Sequence, residues 1–257
     1  MTVERSTPRP GLRLLRLTGE SATASLSKGS IPRIASAIDE ALQDPDVRSL
    51  VLTGEGRFFC AGADIDAFQA AIDANEAASL IRDMTGDLHP LLVRMRTSST
   101  VCVAAMNGAA AGGGLGLALA CDARVAVPSM RIAAAYAGMG LSPDGGATWL
   151  LPRLVGVQVA RRFFLDNGMW TAEEALAHGA VDQIASEDEL LDSAMDLAER
   201  WGAWGPHVRE STKHLLHVTD DHDLETHLTH ERTLIEAAAT TPAFEAGVAA
   251  FLAKRGS

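Results

Sequence analysis

Short, uniformly apolar runs alternate along the chain with amphipathic stretches, a pattern of buried strands feeding helices. Residues 31–43 place Ile31, Ile34, Ala35, Ile38, Ala41 and Leu42 at helical spacing, and Asp44-Pro45-Asp46 stops the helix. Ser49 to Thr53 reads as a buried strand that ends in the turn Gly54-Glu55-Gly56. A loop of small residues, 58–66, then feeds a polar, alanine-rich helical stretch to about Arg96. A second buried strand, Thr100 to Met106, passes through a glycine-rich loop into a helix beginning near Leu115. A third pair of short strands, 123–127 and 130–134, leads through Tyr136 and Leu141 into another glycine turn before a helix. The recurring strand, strand, helix order predicts an α/β fold.

Beyond Gly156 the balance shifts to helices. Thr171 and Glu174 have the spacing of a capping box and Gly179 stands where a terminating glycine belongs, so 171–178 reads as one short helix. A short strand over 180–185 and a helix from Asp188 to Trp201 follow, and from Pro206 onward the chain reads as amphipathic helix. The expected organisation is a core over 1–200 and a helical region over 201–257 whose apolar faces need a partner surface.

Composition narrows the class. Of 257 residues 47% are hydrophobic and 21% charged, which excludes a disordered or low-complexity chain. Lys+Arg of 22 against Asp+Glu of 33 gives −11, so neither nucleic acid nor an anionic membrane is an expected partner. Cys60, Cys102 and Cys121 have odd parity and no CxxC spacing, which argues against a disulfide framework and for a reducing cytoplasm. Arg13 and Arg16 interrupt the apolar stretch Leu12 to Leu17, leaving no signal-like run. The longest uncharged run, Ala109 to Cys121, falls short of the roughly 20 residues that span a bilayer.

Three loops carry the candidate chemistry. In Cys60-Ala61-Gly62-Ala63-Asp64 the small residues let a ligand approach the main chain. Gly112-Gly113-Gly114 opens a helix, where unpaired amides and the positive dipole end attract an anion. Two such donors on one oxygen make an oxyanion hole, although each loop read singly is equally a tight turn. Asp144, in Pro143-Asp144-Gly145-Gly146, is either the N-cap of the helix that follows or a general base.

In this order, FFCAGADI, AMNGAAAGGG with LALACD, GLSPDGGATWLLPRLVG, TAEEALAHGAVDQI and GVAAFLAKR resemble the crotonase superfamily, the enoyl-CoA hydratase/isomerase family, over about residues 45 to 255. The resemblance implies a spiral core of repeated ββα turns and a helical C-terminal trimerisation region. It implies an acyl-CoA ligand, with coenzyme A as part of the substrate and no separate cofactor or metal, and a homotrimer or a hexamer built as a dimer of trimers. It assigns the oxyanion-hole amides to Ala63 and Gly113, and substrate contacts to Ala61, Asp64, Ile65 and Gly112.

Departures from the family pattern bear on the reaction. Family hydratases carry two glutamates, at positions that are Gly116 and Tyr136 here. Hydration uses paired acid/base groups to activate water, so their absence argues against it. Asp144 stands where family isomerases carry an aspartate, and the segment around it most resembles the ring-epoxide and enoyl-CoA isomerases of phenylacetate breakdown. One carboxylate suits a 1,3-proton shift. The stretch after the first strand, LTGESATASLSKGSI, lacks the usual coenzyme A signature; Lys28 is a candidate substitute, and Lys213 and Lys254 match basic positions that meet coenzyme A phosphates in relatives, sometimes from a neighbouring subunit.

His89 precedes Pro90 on a segment that borders the acyl pocket in relatives, so it and Tyr136 are expected to line that pocket. With Asp144 and the ring of Tyr136, His89 is also similar to the 4-chlorobenzoyl-CoA dehalogenases, in which an aspartate attacks an aryl carbon and a histidine activates water. Those enzymes have tryptophan at the Tyr136 position. A hydrolytic enzyme with Asp144 as nucleophile and a non-catalytic acyl-CoA-binding protein therefore stand beside the isomerase. His214 with His217 and His227 with His230 have zinc-compatible spacing, but the stretch reads as a solvated helix face. Cys60 reads as a packed residue.

Overall fold

The structure, a computed structural model, describes residues 2–19 and 25–255. Part of the departed coenzyme A stretch, residues 20–24, lies outside the described residues.

The chain opens with a hairpin that the hydrophobic pattern did not announce. Strands β1 (Thr2–Arg9) and β2 (Leu12–Thr18) pair antiparallel around Gly11, whose φ of 76° suits a residue without Cβ. From β2 onward each pass repeats one plan. It lays a strand in a large sheet, continues into a short strand outside it, and returns through helix. The first pass is β2, β3 (Ser25–Leu26) and α1 (Ile31–Gln43). The second is β4 (Ser49–Thr53), β5 (Phe58–Cys60), β6 (Gly62–Ala63), α2 (Ile65–Asp73) and α3 (Ala77–Thr97). The third is β7 (Val101–Met106), β8 (Ala109–Ala111) and α4 (Gly113–Ala120). The fourth is β9 (Ala123–Ala126), β10 (Arg131–Ala133), α5 (Ala147–Val155) and α6 (Val157–Leu165). Then come β11 (Met169–Thr171), α7 (Ala172–His178), β12 (Gln183–Ile184) and α8 (Leu190–Gly202), and the chain closes with α9 (Pro206–His217), α10 (Leu224–Ala238) and α11 (Pro242–Arg255).

The large sheet has the order β1-β2-β4-β7-β9-β12, parallel from β2 to β12, and the second sheet has the order β11-β10-β8-β5. This is the α/β spiral of ββα turns expected from the sequence. Every residue of β4 and β7 is buried, as central parallel strands require, so these runs are apolar rather than alternating. Helix α4 is buried from Gly114 to Ala120 and has no polar face.

The element bounds mostly follow the pattern, and the exceptions have local causes. The small-residue loop 58–66 contains β5 and β6, too short to show a period. The long helical stretch to Arg96 breaks at Asn75, which takes φ 59° between α2 and α3. The capping box is made: Thr171 Oγ1 accepts from Glu174 N and Glu174 Oε2 from Thr171 N, and Gly179 ends α7 at φ 84°.

Helix α8 runs through residue 201, and α9 is tied to the end of α3 by buried side chains. Arg209 Nε donates to Ser99 O at 2.7 Å, and Lys213 Nζ reaches Met95 O and Thr100 O at 2.9 Å. Leu216, Leu224, Ile235, Phe244 and Phe251, on α9 to α11, stay exposed. Among the described residues, no helix is long and apolar enough to cross a membrane.

Candidate active site

Glycines draw three loops together around α4. A Cβ on Gly62 would lie 2.6 Å from Ala111 O, and one on Gly114 would be deep inside contact with Cys60 O. Their absence lets the first loop pack against both β8 and α4, backbone on backbone. Asn107 fixes the strand ends behind them. Its Oδ1 accepts from Gly54 N at 2.8 Å, and its Nδ2 donates to Gly56 O at 3.0 Å and Phe58 O at 3.2 Å. Sequence reasoning missed this side chain, because its partners lie about fifty residues upstream.

Between the loops lies a cavity of about 510 Å³. Ala61, Gly62, Ala63, Asp64 and Ile65 line it from the first loop, Gly112 and Gly113 from the second, and Tyr136, Met139, Leu141 and Asp144 from the third. Leu26, Phe68, Met84 and Leu88 complete an apolar wall. Ala63 and Gly113 thus bring main chain to one space from two loops. The amides in the first turn of α4 have no acceptor within the helix and stand at its positive end.

Asp144 is not the N-cap of α5. Gly146 takes that place at φ 69°, while the Asp144 main-chain oxygen accepts from Ala147 N at 3.1 Å. Its carboxylate turns instead to Tyr136, whose hydroxyl donates to Oδ1 at 2.7 Å and approaches Asp144 O at 3.2 Å. Burial, then the Asp144 charge and this bond, push the Tyr136 hydroxyl well above its ordinary range, so the phenol remains the donor. Asp144 Oδ2 lies 3.8 Å from His89 Nε2, an ion-pair separation too long for a hydrogen bond. His89 is on α3, half exposed, and is not among the residues lining the cavity.

Other expected contacts are placed differently. Lys213 cannot meet coenzyme A phosphates as it stands. It is buried, and its third bond goes to Asp122 Oδ2 at 2.9 Å, an oxygen that also accepts from Cys102 N. Lys28 Nζ is paired with Asp83 at 2.5 Å. Lys254 lies on α11 and does not line the cavity. Asp64 lines the cavity, but its Oδ1 caps α2 by accepting from Asp66 N and Ala67 N. Cys60 is fully buried, and burial pushes its thiol up to about 11, which keeps it protonated. Of the histidines, His217 packs on Trp149, His227 lies 3.6 Å from Glu231, and His214 and His222 flank His230. Among the described residues no three potential ligands converge to hold a metal ion.

Comparison with known proteins places this geometry. Residues 10–257 match the family described as enoyl-CoA hydratase/isomerase. A Mycobacterium tuberculosis protein named as a probable enoyl-CoA hydratase is 40% identical over 166 residues, which cover 65% of this chain and 62% of that protein's length. The 1,2-epoxyphenylacetyl-CoA isomerase of Escherichia coli is 31% identical over 95% of this chain and 93% of its own. The crystal structure of an enoyl-CoA hydratase from Polaromonas superposes with a TM-score of 0.91 at 30% identity, covering 99% of this chain and 98% of that one. Hydratase and isomerase names both occur among the relatives, while the glycine-lined cavity, the spiral and the full-length match agree: the chain belongs to the enoyl-CoA hydratase/isomerase family of the crotonase superfamily.

Proposed function

We propose that this protein isomerises an acyl-CoA thioester, with Asp144 as its single acid/base and the amides of Ala63 and Gly113 holding the thioester oxygen. The observation that carries the reading is the Asp144 carboxylate at the cavity, anchored through one oxygen to Tyr136. The two positions that bear glutamates in family hydratases offer only Gly116 and the protonated Tyr136. Asp144 takes a proton from the carbon α to the thioester, the negative charge moves onto the carbonyl oxygen between the two amides, and the same carboxylic acid returns the proton at the γ carbon. The double bond shifts and no water is added. Rearrangement of an epoxide ring borne by the acyl group is a related isomerisation at the same site.

One such amide donor contributes about 3–4 kcal/mol to the transition state, and a positioned base adds about 10²–10⁴-fold. The test is turnover of β,γ-enoyl-CoA and aryl-acetyl-CoA thioesters in D₂O. Deuterium should appear at the α and γ carbons and hydration of crotonyl-CoA should be negligible. Efficient hydration would overturn the reading. The His89–Asp144 approach at 3.8 Å favours a second reading, hydrolysis through an Asp144 ester. That reading requires ¹⁸O from labelled water to enter Asp144 in a single turnover.

The C-terminal helices also support an assembly of several copies. Exposed Leu216, Leu224, Ile235, Phe244 and Phe251 support self-association of α9 to α11 as a trimer, or as a dimer of trimers. A stable monomer at micromolar concentration in sedimentation would remove this assignment. Three buried free thiols support a reducing cytoplasm as the working compartment.

A further inference from the structure

Tyr136 holds the Asp144 carboxylate, but the main chain that carries it is located from the other side, by α4. A Cβ on Gly116 would fall deep inside contact with Gly145 O, 2.9 Å from Gly145 C and 3.1 Å from Gly145 Cα. All three are backbone atoms, so only a movement of the loop or the helix could make room. From the loop side, Gly145 sits at φ 58°, and a Cβ there would meet Gly113 Cα at 3.4 Å and Gly116 Cα at 3.6 Å. The residue next to Asp144 therefore rests directly on the first turns of α4, over two bare Cα atoms. Glycine inside a helix is less favourable than alanine by about 1 kcal/mol, so helix formation gives no reason for Gly116.

We infer that Gly116 is a positioning residue for Asp144: its missing side chain is the seat on which the 144–146 turn closes, and that seat brings the carboxylate to the cavity. The inference rests on Asp144 being the base. A side chain at 116 forces the 144–146 turn or α4 to move, and the Asp144 carboxylate moves with the turn.

The test combines Gly116→Ala with Asp144→Asn and measures turnover of a β,γ-enoyl-CoA alongside calorimetric binding of a non-reactive acyl-CoA thioether. Displacing a reacting group by an ångström costs on the order of 10²-fold, so Gly116→Ala should lose about that much in kcat while thioether affinity stays within about twofold. In the Asp144→Asn background the same change should cost nothing further, because both substitutions remove one function. Undiminished kcat in Gly116→Ala, or two losses that multiply, would overturn the inference. Full activity of Asp144→Asn would overturn the role of Asp144 and this inference with it, whereas inactive Asp144→Asn beside active Gly116→Ala overturns this inference alone. If Gly116→Ala does not fold, Gly145→Ala disturbs the same turn through its φ of 58°, without a clash against α4, and is read by the same criteria.

Discussion

Lys213 and Asp144 are both charged side chains on elements that meet α4 or its neighbours, and the fold uses them in opposite ways. An ammonium has three protons, and Lys213 commits all three, to Met95 O, Thr100 O and Asp122 Oδ2, each at 2.9 Å. A carboxylate has about four acceptor sites, and Tyr136 occupies one oxygen of Asp144 while the other stands at a cavity and takes no hydrogen bond from the described residues. A charge whose hydrogen-bonding capacity is exhausted inside the protein joins elements. A charge with capacity left over, beside an apolar cavity, is available to a ligand.

The sharpest way to break this contrast is Asp144→Asn. It keeps shape and the bond from Tyr136 but removes the base, so kcat should fall by about 10²–10⁴-fold with acyl-CoA binding nearly unchanged. An equal loss of binding would put Asp144 with the structural charges. Lys213→Met is the converse experiment. It takes a donor from Met95 O and Thr100 O and one cation from Asp122, which keeps Cys102 N and Arg96, and leaving such buried acceptors unpaired costs about 1–3 kcal/mol, to be read as a lowered denaturation midpoint. KM for acyl-CoA should not change, and a large rise in KM would restore Lys213 to the ligand.

Tyr136→Phe should be milder, because one hydrogen bond to a charged group contributes about 1.5–3 kcal/mol. The loss should appear in kcat, with the cavity still formed. In the unsubstituted protein, the pH profile should show no alkaline limb from this residue below pH 10. Its hydroxyl is raised above that ordinary value, and the donor is lost only as pH climbs through the raised one. The smallest expected effect is none at all: iodoacetamide at pH 8 should leave activity intact, since Cys60 is buried and protonated.

What could be read from the sequence, and what could not, divides along the range of the interactions. The strand, strand, helix order, the capping box of Thr171 and Glu174 and the three glycine loops are local patterns, set by neighbours a few residues away, whereas the spiral was implied by the family resemblance. Asp144 was legible as a candidate base, but whether it capped α5 depended on φ at Gly146 and on the reach of Tyr136. The fate of Lys213 was hidden because its acceptors lie 91 to 118 residues upstream. The β1 hairpin was missed because an edge strand such as Glu4-Arg5-Ser6 is largely polar and carries no apolar period. Gly116 was visible as a missing glutamate, whereas its contact with Gly145 spans 29 residues and exists only in the folded chain.

Helix α4 is buried along almost its whole length and touches Cys60, the Ala111 turn and Gly145, so it acts as a common datum for the site. The Gly113 amide and the main chain next to Asp144 are both located by the same eight residues. A disturbance that tilts this helix carries both groups in the same sense and leaves their separation nearly constant. Distant destabilising substitutions should accordingly reduce the fraction of active molecules before they alter the rate of each surviving one, which titration with a tight-binding thioether can separate.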